Sequence, residues 1–318
     1  MTAATSGRRR LPVWLALCGA GFIGMLTAIQ ARVNGQLGVR LHDGFTAAVI
    51  SFGSGLAILI VLSVALPVGR RGFRTLVTGA RERTIPWWML IAGAAGALTV
   101  ATQGIAVGVI GVSLFTVGYV AGQIVCGLFL DRVGFGPGGV VAVTMPRVLG
   151  GLLALLAVGV ALAGGAVGEA PLWMLLLPFA AGIGVAWQQA TNGRLRARVG
   201  TPLTATLMNF ITGTVVLAIA AIVHVSIAGA PRAVPSDWWL YLGGALGVAY
   251  IFLSAALVSY TGVLLLALGT VVGQLAMSVV LDALWPASAT PGLWQEVLTV
   301  SLAFLSVAVA AIPWRRMR

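Results

Sequence analysis

The stretch Gly118–Asp131, GYVAGQIVCGLFLD, places an amide and a carboxylate inside a long apolar run. The chain repeats the pattern as GTVVGQLAMSVVLD over Gly269–Asp282. Polar side chains are expensive to place at membrane depth, and those that occur there usually face the interior of a bundle or a wet pathway. The repeated stretch therefore indicates two related halves, each carrying a glutamine where an apolar residue would be less costly.

The composition around this stretch is that of a helical integral membrane protein. Of 318 residues, 59% are hydrophobic and 8% are charged, and the mean hydropathy is +1.04. Such a chain has too little polar surface for a water-soluble globule. The net charge of +12 comes from arginines that lie between apolar runs, so it indicates membrane topology and not a nucleic-acid-binding surface.

Apolar runs of about 20 residues are long enough to cross about 30 Å of hydrocarbon as helix. The sequence predicts ten such spans, near residues 12–31, 45–67, 86–106, 109–130, 147–165, 171–190, 203–228, 237–258, 261–283 and 293–313.

The arginines orient these spans. Most of them precede span one, follow spans two, four and six, or end the chain, which places both termini in the cytoplasm. Only Arg32, Arg40 and Arg232 are left for the outside, as the positive-inside rule requires. We expect a multi-pass protein of the bacterial inner membrane.

A second set of matched residues extends the repeat. QARVNGQLGVRLHDGFTAAVISFGSG from Gln30 aligns without gaps with QQATNGRLRARVGTPLTATLMNFITG from Gln188, and the Trp87-Trp88 pair aligns with Trp238-Trp239. Five spans in each unit is an odd number, so the second unit must enter the membrane from the opposite side. The predicted organisation is a cytoplasmic tail over 1–11, a first repeat over 12–168, an inverted second repeat over 169–314 and a cytoplasmic tail over 315–318. Inverted repeats are a recurring design of secondary transporters, although some channels also have them.

The motifs Q...N.QLG, AA.ISF..G, PWW...GA.GA and G...GQ.......D occur in both halves or have clear counterparts there. Together they resemble the YdcZ-type family of the drug/metabolite transporter superfamily. The resemblance implies an all-α membrane fold of ten helices in a 5+5 inverted repeat, with a central cavity and export or exchange of small metabolites. The resemblance does not indicate which substrate is transported. Arg194 and Arg196 replace Gln36 and Gly38 in the second half, so the two loops need not behave identically.

Gln123 and its partner Gln274 are the first candidates for substrate binding, because Gln123 lies only about 5 Å of helical rise from the middle of span four. Gln103 is a further candidate, and Trp187 either faces the cavity or packs. Each amide could instead make an interhelical hydrogen bond worth about 1 kcal/mol. The motifs Gly118-x-x-x-Gly122 and Gly269-x-x-x-Gly273 suit close helix packing.

Two more amide pairs lie near the ends of spans one and six. Gln30 and Asn34 are four residues apart and therefore share a helical face, and Gln188 and Asn192 repeat this arrangement. Such pairs could present donors and acceptors to a polar substrate. Alternatively, Asn34-Gly35 and Asn192-Gly193 could be helix stops.

Asp131 and Asp282 fall at the carboxyl ends of spans four and nine, where the helix dipole disfavours an anion. The repeat suggests a symmetric gate in which Asp131 pairs with Arg198 on the cytoplasmic face and Asp282 pairs with Arg40 outside. No acidic residue lies in the middle of a predicted span, so a proton-exchanging carboxylate is not evident.

The sequence favours a secondary transporter of a small polar or amphipathic metabolite, working by alternating access. The alternative is a non-transporting scaffold or lipid-interacting protein, in which the glycines and amides hold helices together. No enzyme signature, metal site or cofactor is evident. The expected partners are a small-molecule substrate and the lipid bilayer, not nucleic acid, and the chain is expected to act as a monomer or homodimer.

Overall fold

A computed structural model describes residues 12–162, 173–229, 231, 235–284 and 293–312. Within the helices, side chains are described except at 104–117, 158, 161–162, 173–175, 278–279, 282–283, 293, 295–296 and 300. The predicted tails at 1–11 and 315–318 and the predicted repeat boundary at 168–169 lie outside the described residues.

All regular structure in the described ranges is helical. The helices are α1 Val13–Leu41, α2 Gly44–Ala65, α3 Pro67–Arg81, α4 Gly93–Arg132, α5 Met145–Leu162, α6 Trp173–Val199, α7 Pro202–Ala228, α8 Gly243–Leu284 and α9 Leu293–Ala310. Short 3₁₀ helices at Trp87–Met89 and Trp238–Tyr241 precede α4 and α8.

Among the described residues, four helical segments are apolar and long enough to cross a membrane: Val13–Leu41, Gly44–Ala65, Pro202–Ala228 and Trp238–Met277. Their outward faces carry exposed aliphatic side chains, such as Val61 at 65% and Ile222 at 69% exposure. Exposed apolar surface on this scale suits contact with lipid and not with water.

Matched caps join the first two helices of each half. Asp43 begins α2, and its Oδ1 accepts hydrogen bonds from the N–H groups of Phe45 at 2.9 Å and Thr46 at 3.2 Å. Thr201 begins α7, and its hydroxyl accepts a hydrogen bond from the N–H group of Leu203 at 3.2 Å. Side-chain acceptors at these positions satisfy N–H groups that lack a partner within the helix.

The helix α8 doubles back at Gly262, whose φ of 75° and ψ of 175° interrupt the helix. Gly247, in the first arm (243–261), packs on Gln30, and Leu257 packs on Gly19. In the second arm (263–284), Gly269 packs on Ala20 and Thr270 packs on Gly24. Along the first arm the contacted residues of α1 run from Gln30 back to Gly19, and along the second arm they run from Ala20 forward to Gly24. The two arms therefore run in opposite directions.

The helix α4 also reverses. Gly184 of α6 lies against Ala95, whereas Gly182, two residues away, lies against the carbonyl group of Tyr119. A straight helix would separate residues 95 and 119 by about 36 Å. The chain must therefore turn back between them, so α4 supplies two arms as α8 does.

The packing of the helices is two-fold equivalent. The helix α1 packs along α8 as α6 packs along α4, and α2 meets α7 while α5 meets α9. At the contact of α2 with α7, the rings of Phe52 and Phe210 lie 4.9 Å apart, and each ring seats on a glycine of the other helix, Gly213 and Gly55. The repeat seen in the sequence is thus a repeat of contacts.

The helix α3 is not among the helices predicted from the sequence, because the arginines after span two serve there only to orient the spans. It buries Gly69, Gly72, Leu76 and Gly79, which share one helical face. Arg70, Arg71, Arg74 and Arg81 point away from that face and are exposed. Only nine residues, 229–237, separate α7 from the second 3₁₀ helix, so the second half has no room for an equivalent of this 15-residue helix.

Candidate functional site

Gln123 lies where α4 crosses α6 at very short range. A Cβ added to Gly182 would overlap the carbonyl oxygen of Tyr119 and lie 2.9 Å from the backbone nitrogen of Gln123. Gln123 is 1% exposed, and its Oε1 accepts no hydrogen bond from any described residue. A buried acceptor without a partner costs about 1–3 kcal/mol, so the amide is not fully satisfied by helix packing.

Gln274 occupies the equivalent crossing of α8 with α1. A Cβ added to Gly24 would overlap the carbonyl oxygen of Thr270 and lie 2.6 Å from the backbone nitrogen of Gln274. Gln274 is 8% exposed. The second glycine of each small-residue motif completes the crossing, because Gly122 lies on Phe179 and Gly273 lies on Gly21.

The first amide cluster consists of Gln30, Asn34 and Ser51 beside the start of α8. The Nε2 group of Gln30 donates a hydrogen bond to the carbonyl oxygen of Gly243 at 2.8 Å. Asn34 is 6% exposed, and neither of its amide atoms is hydrogen-bonded to a described residue. Gln30 therefore links α1 to the first residue of α8, whereas Asn34 keeps donor and acceptor capacity.

The second amide cluster consists of Gln188, Asn192 and Asn209 and is internally bonded. The Oδ1 atom of Asn209 accepts hydrogen bonds from Gln188 Nε2 at 2.9 Å and from Asn192 Nδ2 at 3.1 Å. Asn209 stands where the first half has Ser51, and its longer side chain reaches both neighbouring amides, although Asn209 Nδ2 and Asn192 Oδ1 have no partner among the described residues. The hydroxyl of Ser51 has no partner in the described part of the chain.

The helix-stop interpretation of Asn34-Gly35 and Asn192-Gly193 is wrong. The helix α1 continues to Leu41 and α6 continues to Val199. The left-handed residue that follows each helix is His42, at φ 54°, and Gly200, at φ 80°. The two asparagines are instead held inside their helices, where their amides face buried surroundings.

The predicted binding residues do not form one cluster in this conformation. Gln30 is six residues from Gly24 on α1, or about 9 Å of helical rise from the level of Gln274. The same spacing separates Gln188 from Gly182 at the Gln123 crossing. Each crossing therefore lies about 9 Å along its helix from the amide cluster of the same helix.

Gln103 and Trp187 have different surroundings. Gln103 is half-buried, and its Oε1 accepts no hydrogen bond from a described residue. Trp187 packs against an apolar cluster that includes Ala186, Val258 and Leu266, which favours packing over cavity lining. Sequence reasoning missed Gln189 as a candidate; it is 5% exposed, and its Oε1 likewise lacks a described partner.

Asp131 caps the second arm of α8. The break at Gly262 frees the N–H groups that begin this arm, and Asp131 accepts hydrogen bonds from Val263 at 2.9 Å and Leu264 at 3.2 Å. Arg147 of α5 lies 3.0 Å from the same carboxylate. Asp131 is 1% exposed. The unfavourable dipole of its own helix is thus offset by the N-terminus of another helix and by a cation.

In this structure Asp131 does not pair with Arg198, its partner in the predicted gate. Asp131 pairs with Arg147, and Arg198 instead donates a hydrogen bond to the carbonyl oxygen of Thr84. Arg40 pairs with Asp237 at 3.2 Å, with side chains 55% and 40% exposed. The side chain of Asp282 lies outside the described residues. The alignment of the two halves matches side chains only. It therefore could not predict that backbone N–H groups of α8 donate hydrogen bonds to Asp131.

Arg194 and Arg196 bind the same end of the bundle. Arg194 donates a hydrogen bond to the carbonyl oxygen of Gly134 at 3.0 Å and stacks on the ring of Phe135 at 4.6 Å. Arg196 donates hydrogen bonds to the carbonyl oxygen of Ala256 at 2.9 Å and the hydroxyl of Ser259 at 3.1 Å. Both arginines tie the end of α6 to the segments that follow α4 and precede the α8 break. We call Asp131, Arg147, Arg194 and Arg196 the break clamp.

A comparison with models of protein families identifies the family of this chain. A family model described as "Putative inner membrane exporter, YdcZ" matches residues 15–162 and 173–309. The chain belongs to this family. Because the match falls in two segments, both halves carry the signature of the YdcZ family, as the resemblance predicted. The protein is therefore a multi-pass membrane protein of an exporter family.

Among curated proteins, no sequence matches the chain. One similar solved structure, described only as "Crystal structure of protein", is 21% identical, with a TM-score of 0.61 over 93% of this chain and 95% of that chain. At this identity the likeness shows a shared fold alone.

Proposed function

We propose that the protein is a secondary transporter that exports or exchanges a small polar or amphipathic metabolite by alternating access. In this proposal the first half consists of α1, α2, the two arms of α4, and then α5. The second half consists of α6, α7, the two arms of α8, and then α9. This gives ten spans in a 5+5 inverted arrangement. Two equivalent packings of such halves provide inward-open and outward-open states.

The observation that carries the proposal is the buried Oε1 of Gln123, which accepts no hydrogen bond from the described residues. A scaffold that uses Gln123 only to join helices would supply a partner for this atom, since buried polar groups are nearly always paired. A substrate N–H or O–H group would satisfy it. The equivalent crossing places Gln274 in a matching position in the other half, so both halves can contribute an amide that binds without requiring a charged substrate.

The arginine distribution supports an orientation with both termini in the cytoplasm. This orientation puts the α8 break and the break clamp on the cytoplasmic side and Asn34 on the outer side. The break clamp then replaces the pair of Asp131 with Arg198 as the candidate cytoplasmic gate. Opening that side by repacking the halves would require Arg194 of α6 to release the carbonyl group of Gly134, which follows α4.

A ligand screen tests the proposal. Purified protein is screened by thermal shift against metabolites and organic cations, and the compounds that stabilise it are tested for uptake into and release from proteoliposomes. We expect Gln123→Ala to abolish the ligand-induced shift and transport with little loss of basal stability.

Gln30→Ala is the matched control, because its amide is already bonded to Gly243. It should lower basal stability by about 1 kcal/mol and keep the ligand-induced shift. If Gln123→Ala retains the shift and transport at wild-type levels, the proposed site is wrong. If no compound shifts or crosses the wild type, the scaffold alternative is favoured.

A further inference from the structure

The helix α3 is seated firmly on the bundle. A Cβ added to Gly72 would overlap the hydroxyl of Thr204 and lie 2.5 Å from Cγ2 of Thr201, and one added to Gly69 would lie 2.6 Å from Cα of Ser63. Such close seating fixes the opposite face of the helix in place. Because α3 has no equivalent in the second half, the two-fold packing does not require it.

A groove of about 530 Å³ lies between α3, the segment 82–85 and the end of α6. This volume is within the range of small-molecule binding sites. Its lining brings two cations, Arg74 and Arg198, together with one carboxylate, Glu82. Thr75 and Thr78 add hydroxyl groups from α3. The groove therefore presents both signs of charge to one occupant.

The groove adjoins the end of a candidate membrane span. The candidate span α2 ends at Ala65, and α3 begins two residues later at Pro67. Beyond the groove, Trp87 is 71% exposed, and Phe73 on the flank of α3 is 42% exposed. Exposed tryptophan and amphipathic helices with basic polar faces are typical of the membrane–water interface.

From these observations we infer that the groove binds the headgroup of an aminophospholipid, a lipid that carries both a phosphodiester and a primary amine. The guanidinium groups of Arg74 and Arg198 suit the phosphodiester, since arginine matches phosphate geometry. Arg198 is already oriented by its hydrogen bond to Thr84. The carboxylate of Glu82 suits the ammonium group and disfavours a purely anionic headgroup, whose charge it would repel.

Lipid binding to the full chain tests this site independently of transport. Native mass spectrometry would measure binding of ethanolamine, choline and glycerol phospholipids with the same acyl chains. We expect preference for the ethanolamine lipid. Arg74→Gln and Arg198→Gln should each weaken its binding about tenfold, the weight of one charge-assisted hydrogen bond. Glu82→Gln should remove the preference for the ethanolamine lipid over the glycerol lipid.

Arg71→Gln is the matched control, because Arg71 is an exposed arginine of the same helix that does not line the groove. It should bind the ethanolamine lipid as the wild type does, and every variant should keep the wild-type melting temperature within about 2 °C. Equal losses in Arg71→Gln and Arg74→Gln would overturn the site, because they would show attraction to charge alone. Equal binding of ethanolamine and choline lipids would overturn the amine assignment. Displacement of the lipid by an equal concentration of soluble phosphoethanolamine would overturn a lipid as the occupant.

Discussion

Replacement of Asp131 by asparagine tests the break clamp most directly. Asparagine keeps the shape of the side chain but removes the charge that faces Arg147 at 3.0 Å and one of the two acceptors for Val263 and Leu264. Because Asp131 is 1% exposed and the side chain of Arg147 is 10% exposed, the guanidinium would be left buried without a counter-ion. Breaking a buried pair in this way costs about 3–5 kcal/mol. At about 2–4 °C per kcal/mol, the melting temperature should fall by roughly 10 °C.

The assay is thermal unfolding of the purified protein in detergent. Asp237→Asn is the control, since it breaks an exposed ion pair that should contribute no more than about 1 kcal/mol after solvent screening. The double variant Asp131→Asn with Arg147→Met leaves no uncompensated charge and should recover part of the loss. The reasoning is refuted if Asp131→Asn melts within 2 °C of the wild type, or if the double variant is no more stable than the single variant.

Two further predictions concern the packing of the two halves. Gly182→Ala should lower stability by about 1–3 kcal/mol, because its methyl group would overlap the carbonyl oxygen of Tyr119. Gly53→Ala, which meets nothing within 4 Å, should be neutral or stabilising; equal melting temperatures for these two variants would contradict the close crossing. Phe210→Ala should cost about 3–5 kcal/mol, and Phe52→Ala should cost a similar amount because the rings contact each other. Alanine variants whose melting temperatures differ by more than 5 °C would contradict this equivalence.

The helical membrane class and the family could be inferred from sequence, because composition and the doubled motif reflect the whole chain. Gln123 and Gln274 could also be chosen from the sequence as candidate binding residues. A polar side chain at membrane depth is costly, and the repeat has one at the same position in each half. Their matched positions on Gly182 and Gly24 follow from the same repeat. The burial of Asp131 could not be predicted, because its position along its own helix gives no information about the second arm of α8 that covers it.

Other features depend on tertiary contacts that cannot be predicted from a local sequence pattern. The hydrogen-bond donors to Asp131 are backbone groups exposed only because Gly262 breaks α8. Asn34-Gly35 has the composition of a helix stop, but burial of the amide and continuation of the helix override it. A signal for α3 was available, since Gly69, Gly72, Leu76 and Gly79 recur at helical spacing opposite the arginines.

The two halves are equivalent where helices cross and different where they end. Glycines allow the close backbone contact at both helix crossings. Because such a crossing depends on backbone contact, both halves can form it with little dependence on their other side chains. At the ends, Asn209 accepts two hydrogen bonds in one amide cluster, whereas Ser51 makes none with described residues in the other. Arg194 and Arg196 bind carbonyl groups where the first half has Gln36 and Gly38. Under the proposed mechanism each end must open in turn, and the bond from Arg194 to Gly134, which joins the two halves, must break when the end at the α8 break opens.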